Sequence, residues 1–260
     1  ATTEIYTLSL HDGSSDLAKV LIVENDLITA NNFIQMFDLY DEFDVDVVSH
    51  ISEAKKLLSN KRYEFGVTDL ELNDSLNGEM VAIFNKHNIS PIVFTNKINE
   101  DFIETYQSAN IVDYVVKSRY RSTNNVVDTL RQLILNKRSK ILLISNTQTY
   151  SNYLKQNLQM HNFQILIAKN SQESLEKLDL HEDIDLVITE YDLPIVNGLE
   201  LVKKIRKTRR KSDLNILVLA EKSNSYLTAC FLNEGVNDYL IKEFSRDELY
   251  TRVYQNVPLI

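Results

Sequence analysis

The sequence predicts an α/β protein of two doubly wound domains in tandem, each with a five-stranded parallel sheet. Three observations carry this. KVLIVEND (Lys19–Asp26) recurs as KILLISNT (Lys140–Thr147), and FGVTDL (Phe65–Leu70) recurs as LVITEY (Leu186–Tyr191), both at an offset of 121 positions. Short apolar runs alternate with helical patterns in each copy, the signature of a parallel sheet covered on both faces by helices. The offset is the size of an ordinary domain, and 260 residues hold two of them.

The elements follow in order. Residues 1–17 match nothing in the second copy; they fit a tag remnant, an upstream tail, or an extra strand over IYTLSL (Ile5–Leu10). KVLIV ends in polar residues and leads into a helical pattern over 28–40. Strands then fall near Val45, Phe65, Ile92 and Asp113, with helices over 52–58, 78–87, 99–109 and 124–137. The second copy repeats the order: KILLI, a helix over 148–161, QILIA, a helix over 171–178, DLVIT, a helix over 199–209, ILVLA, a helix around 224–233, and DYLI. The last helix opens with Ser245-Arg246-Asp247-Glu248, a capping-box pattern. The domains divide as 18–138 and 139–260. An amphipathic helix joins them with no Gly/Pro-rich linker, so a definite relation between them is expected.

Composition narrows the function. A net charge of −9 argues against binding nucleic acid through its phosphates. The one basic run, Lys203–Lys211, reads as a solvated helix end or a docking patch. Cys230 stands alone in the apolar-leaning YLTACFL, which excludes a disulfide framework and a thiolate cluster and suggests a buried small hydrophobe. The five histidines are scattered without ligand spacing. No apolar run reaches a membrane span and no signal peptide is visible, so no membrane is expected and the cytoplasm is the expected location. Five glycines, none in a GxGxxG or P-loop, speak against a nucleotide-dependent enzyme.

In an open parallel sheet, function gathers beyond the carboxyl ends of the strands. The first strand delivers Glu24, Asn25 and Asp26 to that edge, the third delivers Asp69, and the fifth ends at Lys117. Carboxylates beside a lysine suit a hard cation and a phosphoryl group, and an aspartate can itself be the nucleophile. The fourth strand ends in Phe94-Thr95-Asn96. DYVVK (Asp113–Lys117) aligns with DYLIK (Asp238–Lys242) at an offset of 125, which pairs Thr95 with Ala220 and selects Thr95 as the phosphate-binding hydroxyl.

Together these residues resemble the receiver domain of two-component response regulators, and the chain resembles a tandem pair of such flavodoxin-like domains. The resemblance implies that Asp69 is the phosphoacceptor, that Thr95 and Tyr114 are the switch residues, and that Lys117 meets the phosphoryl charge. It implies Mg2+ held by Glu24, Asn25, Asp26, Asp69 and the backbone carbonyl of Glu71, in the first domain only. Asn25 stands where the family carries an Asp; Asp26 either compensates or simply starts the helix. The loop LELNDSLNG is one residue longer than its twin YDLPIVNG, and Ser118 follows Lys117 where the family carries Pro.

In the second copy Ser145, Asn146, Glu190 and Ala220 replace the acidic pair, the phosphoacceptor and the hydroxyl, and only Lys242 remains. This reads as a degenerate pseudo-receiver whose Glu190 pairs with Lys242 or imitates a phosphorylated aspartate. The implied partners are a histidine kinase or phosphotransfer protein and a second copy of the chain. Paired receivers of this kind resemble the input half of receiver–receiver–GGDEF diguanylate cyclases, with the output domain outside this chain. The competing expectation is an interaction or dimerisation module that works without phosphorylation.

Overall fold

The computed structural model describes residues 6–8 (backbone only), 17–75, 78–96, 110–117, 121–222, 229–231 and 233–257. The helix expected over 99–109, most of that around 224–233, and Ser118 lie outside the described residues. The chain divides into two units, residues 1–134 and 135–260.

In the first unit the strands are β1 (Tyr6–Leu8), β2 (Ala18–Val23), β3 (Phe43–Val48), β4 (Phe65–Thr68), β5 (Ser90–Thr95) and β6 (Asp113–Val116), and the sheet order is β1-β3-β2-β4-β5-β6. The helices are α1 (Leu27–Phe37), α2 (Ile51–Asn60), α3 (Glu79–Lys86) and α4 (Ser122–Asn136). Strands β2 to β6 are parallel, as expected. The five parallel strands are those the sequence predicts, and β1 is the extra strand it allowed over Ile5–Leu10: β1 pairs antiparallel with β3, Thr7 opposite Asp46, and satisfies an edge that would otherwise present unpaired backbone groups.

The second unit contains β7 (Lys140–Ile144), β8 (Gln164–Ala168), β9 (Ile184–Glu190), β10 (Asn215–Ala220) and β11 (Asp238–Ile241), in the order β8-β7-β9-β10-β11. Its helices are α5 (Gln148–Met160), α6 (Ser171–Leu180), α7 (Gly198–Arg206) and α8 (Arg246–Asn256). The repeat persists in three dimensions. Val23 faces Thr68 across β2 and β4 as Ile144 faces Thr189 across β7 and β9. Thr95 faces Val116 as Ala220 faces Ile241.

Alternation along each central strand builds two cores per sheet. Val20 and Ile22 pack with Phe33 and Phe37 of α1 and Val126 and Leu130 of α4. Leu21 and Val23 face the opposite side with Ala54 and Leu58 of α2 and Met80 and Phe84 of α3. The second unit does the same through Ile141 and Leu143 on one face and Leu142 and Ile144 on the other. Two glycines permit close approach. A Cβ on Gly66 would lie 2.5 Å from the Phe84 ring, and one on Gly198 would lie 2.4 Å from the Glu190 carbonyl. Ser245 caps α8 by accepting from the Glu248 N–H at 3.1 Å.

Candidate functional site

The carboxyl edge of the first sheet gathers two buried carboxylates and a half-buried lysine. Asp69 follows β4 directly, and Lys117 follows β6 with its N–H bonded to the Thr95 carbonyl at 3.0 Å. The Lys117 Nζ lies 2.6 Å from Asp69 Oδ2 and 2.7 Å from Glu24 Oε2. Asp69 Oδ1 accepts from the Leu70 N–H at 2.6 Å and the Glu71 N–H at 3.4 Å. Glu24 Oε1 accepts from the Asp26 N–H at 2.9 Å. The lysine also sits over the Phe94 ring, 5.5 Å from its centroid.

Two carboxylates against one ammonium leave this buried edge with a net negative charge. Burial is the main force pushing the Glu24 carboxyl above its ordinary range; Lys117 and the Asp26 N–H oppose it, and Asp69 adds to it. Burial works to lower Lys117, but its bonds to Asp69 and Glu24 outweigh that and hold its pKa above the ordinary lysine value. A buried donor set of hard oxygens carrying excess negative charge fits a divalent cation that keeps several waters.

The expected ligand set comes together in part. Glu24 and Asp69 converge on Lys117. Asp26 starts the helix instead: its Oδ1 caps α1 through the Thr29 N–H at 2.8 Å, and the residue is exposed. Asn25 is half-buried, with its Nδ2 donating to Asn73 Oδ1 at 3.0 Å. Among the described residues, no group of three or more His, Cys, Asp or Glu side chains is arranged to hold a metal. A cation here would therefore rest on two carboxylates, the Asn25 amide oxygen and the Glu71 carbonyl. Thr95 is buried at the end of β5, and Tyr114 is half-buried against Leu70, Val81, Val93 and Ile111.

In the second unit Lys242 Nζ lies 2.6 Å from Glu190 Oε2 and over the Tyr150 ring at 5.1 Å. Glu190 Oε1 and Tyr150 Oη are buried and have no hydrogen-bond partner among the described residues. Ser145 turns its hydroxyl to the Thr147 backbone, accepting from its N–H and donating to its carbonyl, each at 3.2 Å. Asn146 accepts a long bond from Thr147 Oγ1, at 3.3 Å, and Ala220 has no polar side-chain atom. Tyr150 was not legible as a site residue; its only signal is its register position, 121 beyond Thr29.

Two residues depart from expectation. The basic run is largely solvated, with Lys203, Lys204, Lys207, Arg210 and Lys211 exposed, but Arg206 departs from that reading: it is half-buried and donates to the carbonyls of Gly235 and Leu214 and to Asn237 Oδ1, each at 2.9 Å. Arg209 and Lys211 also bind carbonyls, and Lys203 and Arg210 form ion pairs. Cys230 is half-buried rather than buried.

A family model described as the response regulator receiver domain matches residues 141–254. Chemotaxis protein CheY1 of Helicobacter pylori is 31% identical over 107 residues, 41% of this chain and 86% of that protein. A chemotaxis protein CheY homolog of Campylobacter jejuni is 30% identical over 107 residues, 41% of this chain and 82% of its own. A solved structure of a two-component system response regulator/GGDEF domain protein superimposes with a TM-score of 0.81 at 28% identity, covering 92% of this chain and 97% of that one.

Proposed function

The chain belongs to the response regulator receiver family, and from that premise we propose that residues 18–138 form a receiver whose Asp69 accepts a phosphoryl group from a phosphohistidine. The observation that carries this reading is Lys117 held between Asp69 and Glu24, at 2.6 and 2.7 Å, at the carboxyl edge of the sheet. A carboxylate oxygen of Asp69 attacks phosphorus, the P–N bond breaks, and its electron pair returns to the imidazole of the donor, leaving an acyl phosphate. Lys117, kept charged by its two carboxylates, meets the negative charge that gathers on the phosphoryl oxygens. The hydroxyl of Thr95 stands at the neighbouring strand end as the switch residue, with Tyr114 as its aromatic partner. A magnesium ion, when bound, would neutralise phosphoryl oxygens; Glu24, Asp69, Asn25 and the Glu71 carbonyl are the groups that would hold it.

Residues 139–260 act as a receiver without chemistry, a scaffold or dimerisation unit for an output domain outside this chain. Its Lys242–Glu190 pair supports this, because Ser145 supplies no carboxylate where the first unit has Glu24 and Ala220 supplies no hydroxyl where it has Thr95. The GGDEF in the name of the similar solved structure supports a diguanylate cyclase as that output. For the phosphodonor, a histidine kinase or phosphotransfer protein, a contact surface is available beside the acceptor. Leu27 and Ile28 are 69% and 73% exposed at the start of α1, where the second unit carries Gln148 and Thr149. A phosphodonor of this kind makes the cytoplasm the location this reading takes. No helix among the described residues is long and apolar enough to cross a membrane.

The test is incubation of the full chain with acetyl phosphate and magnesium, read by intact mass. A single phosphoryl adduct that Asp69→Asn abolishes and Glu190→Gln leaves in place is expected. No adduct at millimolar magnesium, from acetyl phosphate or a phosphohistidine donor, would favour the phosphorylation-independent interaction module instead.

A further inference from the structure

Besides β1, the first unit differs from its twin after Asp69, where the loop is a residue longer than the loop after Glu190 and contains a small hairpin. Leu72 and Ser75 exchange backbone bonds of 2.8 and 3.0 Å, and Leu72 is buried against α2 and α3. The tip, Asn73 and Asp74, is tied in two directions. Asp74 accepts from the Ile51 N–H at 3.1 Å and the Ser52 N–H at 3.3 Å, the start of α2. That helix needs a cap from elsewhere, because its own capping residue, His50, makes no side-chain cap bond. In the second unit Asn170 caps the matching helix locally. With the tip fixed, Asn73 Oδ1 takes the Nδ2 of Asn25 at 3.0 Å.

We propose that this hairpin is a positioning element for the cation side of the site: Asp74 anchors it on α2, and Asn73 holds the Asn25 carboxamide with its oxygen as the atom free to bind a cation. This rests on the magnesium-dependent reading above. The reasoning is chemical. An asparagine in place of a carboxylate has one oxygen to offer and one NH2 that repels a cation. The orientation in which Nδ2 donates to Asn73 leaves Oδ1 free, and it accepts no hydrogen bond among the described residues. An aspartate at the same position would have no such need, since both its atoms are ligands.

The test is a calorimetric titration of the full chain with Mg2+ alone, in wild type, Asn73→Ala, Asn25→Asp and the Asn25→Asp/Asn73→Ala double variant. Asn73→Ala is expected to weaken magnesium about 10-fold, the low end for groups that orient a metal ligand. The same change in the Asn25→Asp background is expected to have little effect, which a general loosening of the loop would not reproduce. Asp74→Ala is expected to weaken magnesium and to speed amide exchange at Ile51 and Ser52 together. Equal affinity in wild type and Asn73→Ala, or an equal loss in both backgrounds, overturns the proposal and leaves the phosphoacceptor reading standing. Absence of magnesium binding in both wild type and Asn25→Asp overturns the cation site itself, and the hairpin's role with it.

Discussion

Removing Lys242 while leaving Glu190 in place should destabilise the second unit far more than removing both. The two side chains are 21% and 4% exposed and meet at 2.6 Å, and the other oxygen of Glu190 already lacks a partner among the described residues. Breaking a buried pair by deleting one partner costs about 3–5 kcal/mol, because the remaining charge is left uncompensated. The lysine head is partly wet, so roughly 2–3 kcal/mol is the expected loss for Lys242→Met, whose stem still covers Tyr150. For a unit spanning residues 135–260, an unfolding entropy near 2.1 cal/mol/K per residue makes each kcal/mol worth about 4 °C, so its transition should fall by about 8–12 °C. Lys242→Met/Glu190→Met should recover most of that, since an apolar pair of similar volume carries no stranded charge. Scanning calorimetry of the full chain, with amide exchange of β9 peptides to assign the transition, measures both. Equal melting of Lys242→Met and wild type would refute the reasoning, and so would a double variant as unstable as the single one.

Other expectations concern the first unit. Burial raises the Glu24 pKa above its ordinary 4.5, so the folded state holds that proton more tightly than the unfolded chain. Its contribution to stability is therefore greatest below 4.5 and is lost as pH rises through the raised value. Glu24→Gln, which keeps an acceptor for the Asp26 N–H, should be more stable than wild type at neutral pH, with the difference closing in acid; urea titrations at several pH values check this. Gly66→Ala would push a methyl into the fully buried Phe84 ring, and overpacking of that kind costs about 1–3 kcal/mol. Combining it with Phe84→Leu should return part of the loss in the same urea assay.

Much of the fold was legible because apolar periodicity and the repeat act over short stretches of chain. The 121 and 125 offsets survive as strand register, since a parallel strand buried on both faces tolerates no slip. Glu24, Asp69 and Lys117 were readable for the same reason, each being the first polar residue past an apolar strand. Asp26 was ambiguous because a helix cap and an oxygen ligand draw on the same residue types. What stayed hidden depends on contacts distant in sequence: Asp74 reaching the start of α2, Asn73 reaching Asn25, and Tyr150 lying under Lys242. Arg206 could not be told from its solvated neighbours in the basic run, because a guanidinium can close loops by gathering carbonyls as readily as it can face water.

The strand β1 has a practical consequence for anyone dissecting this chain. The repeat invites a cut just before Ala18, where the two copies begin to match. Such a cut would delete the strand that pairs, among the described residues, with the outer side of β3, baring the donors and acceptors that Tyr6–Leu8 engages opposite Val45, Asp46 and Val47. A trimmed protein would then offer other molecules a ready template for pairing. Self-association seen in a shortened version would report on the scissors rather than on signalling, and only the longer chain is a fair subject for asking whether phosphorylation drives assembly.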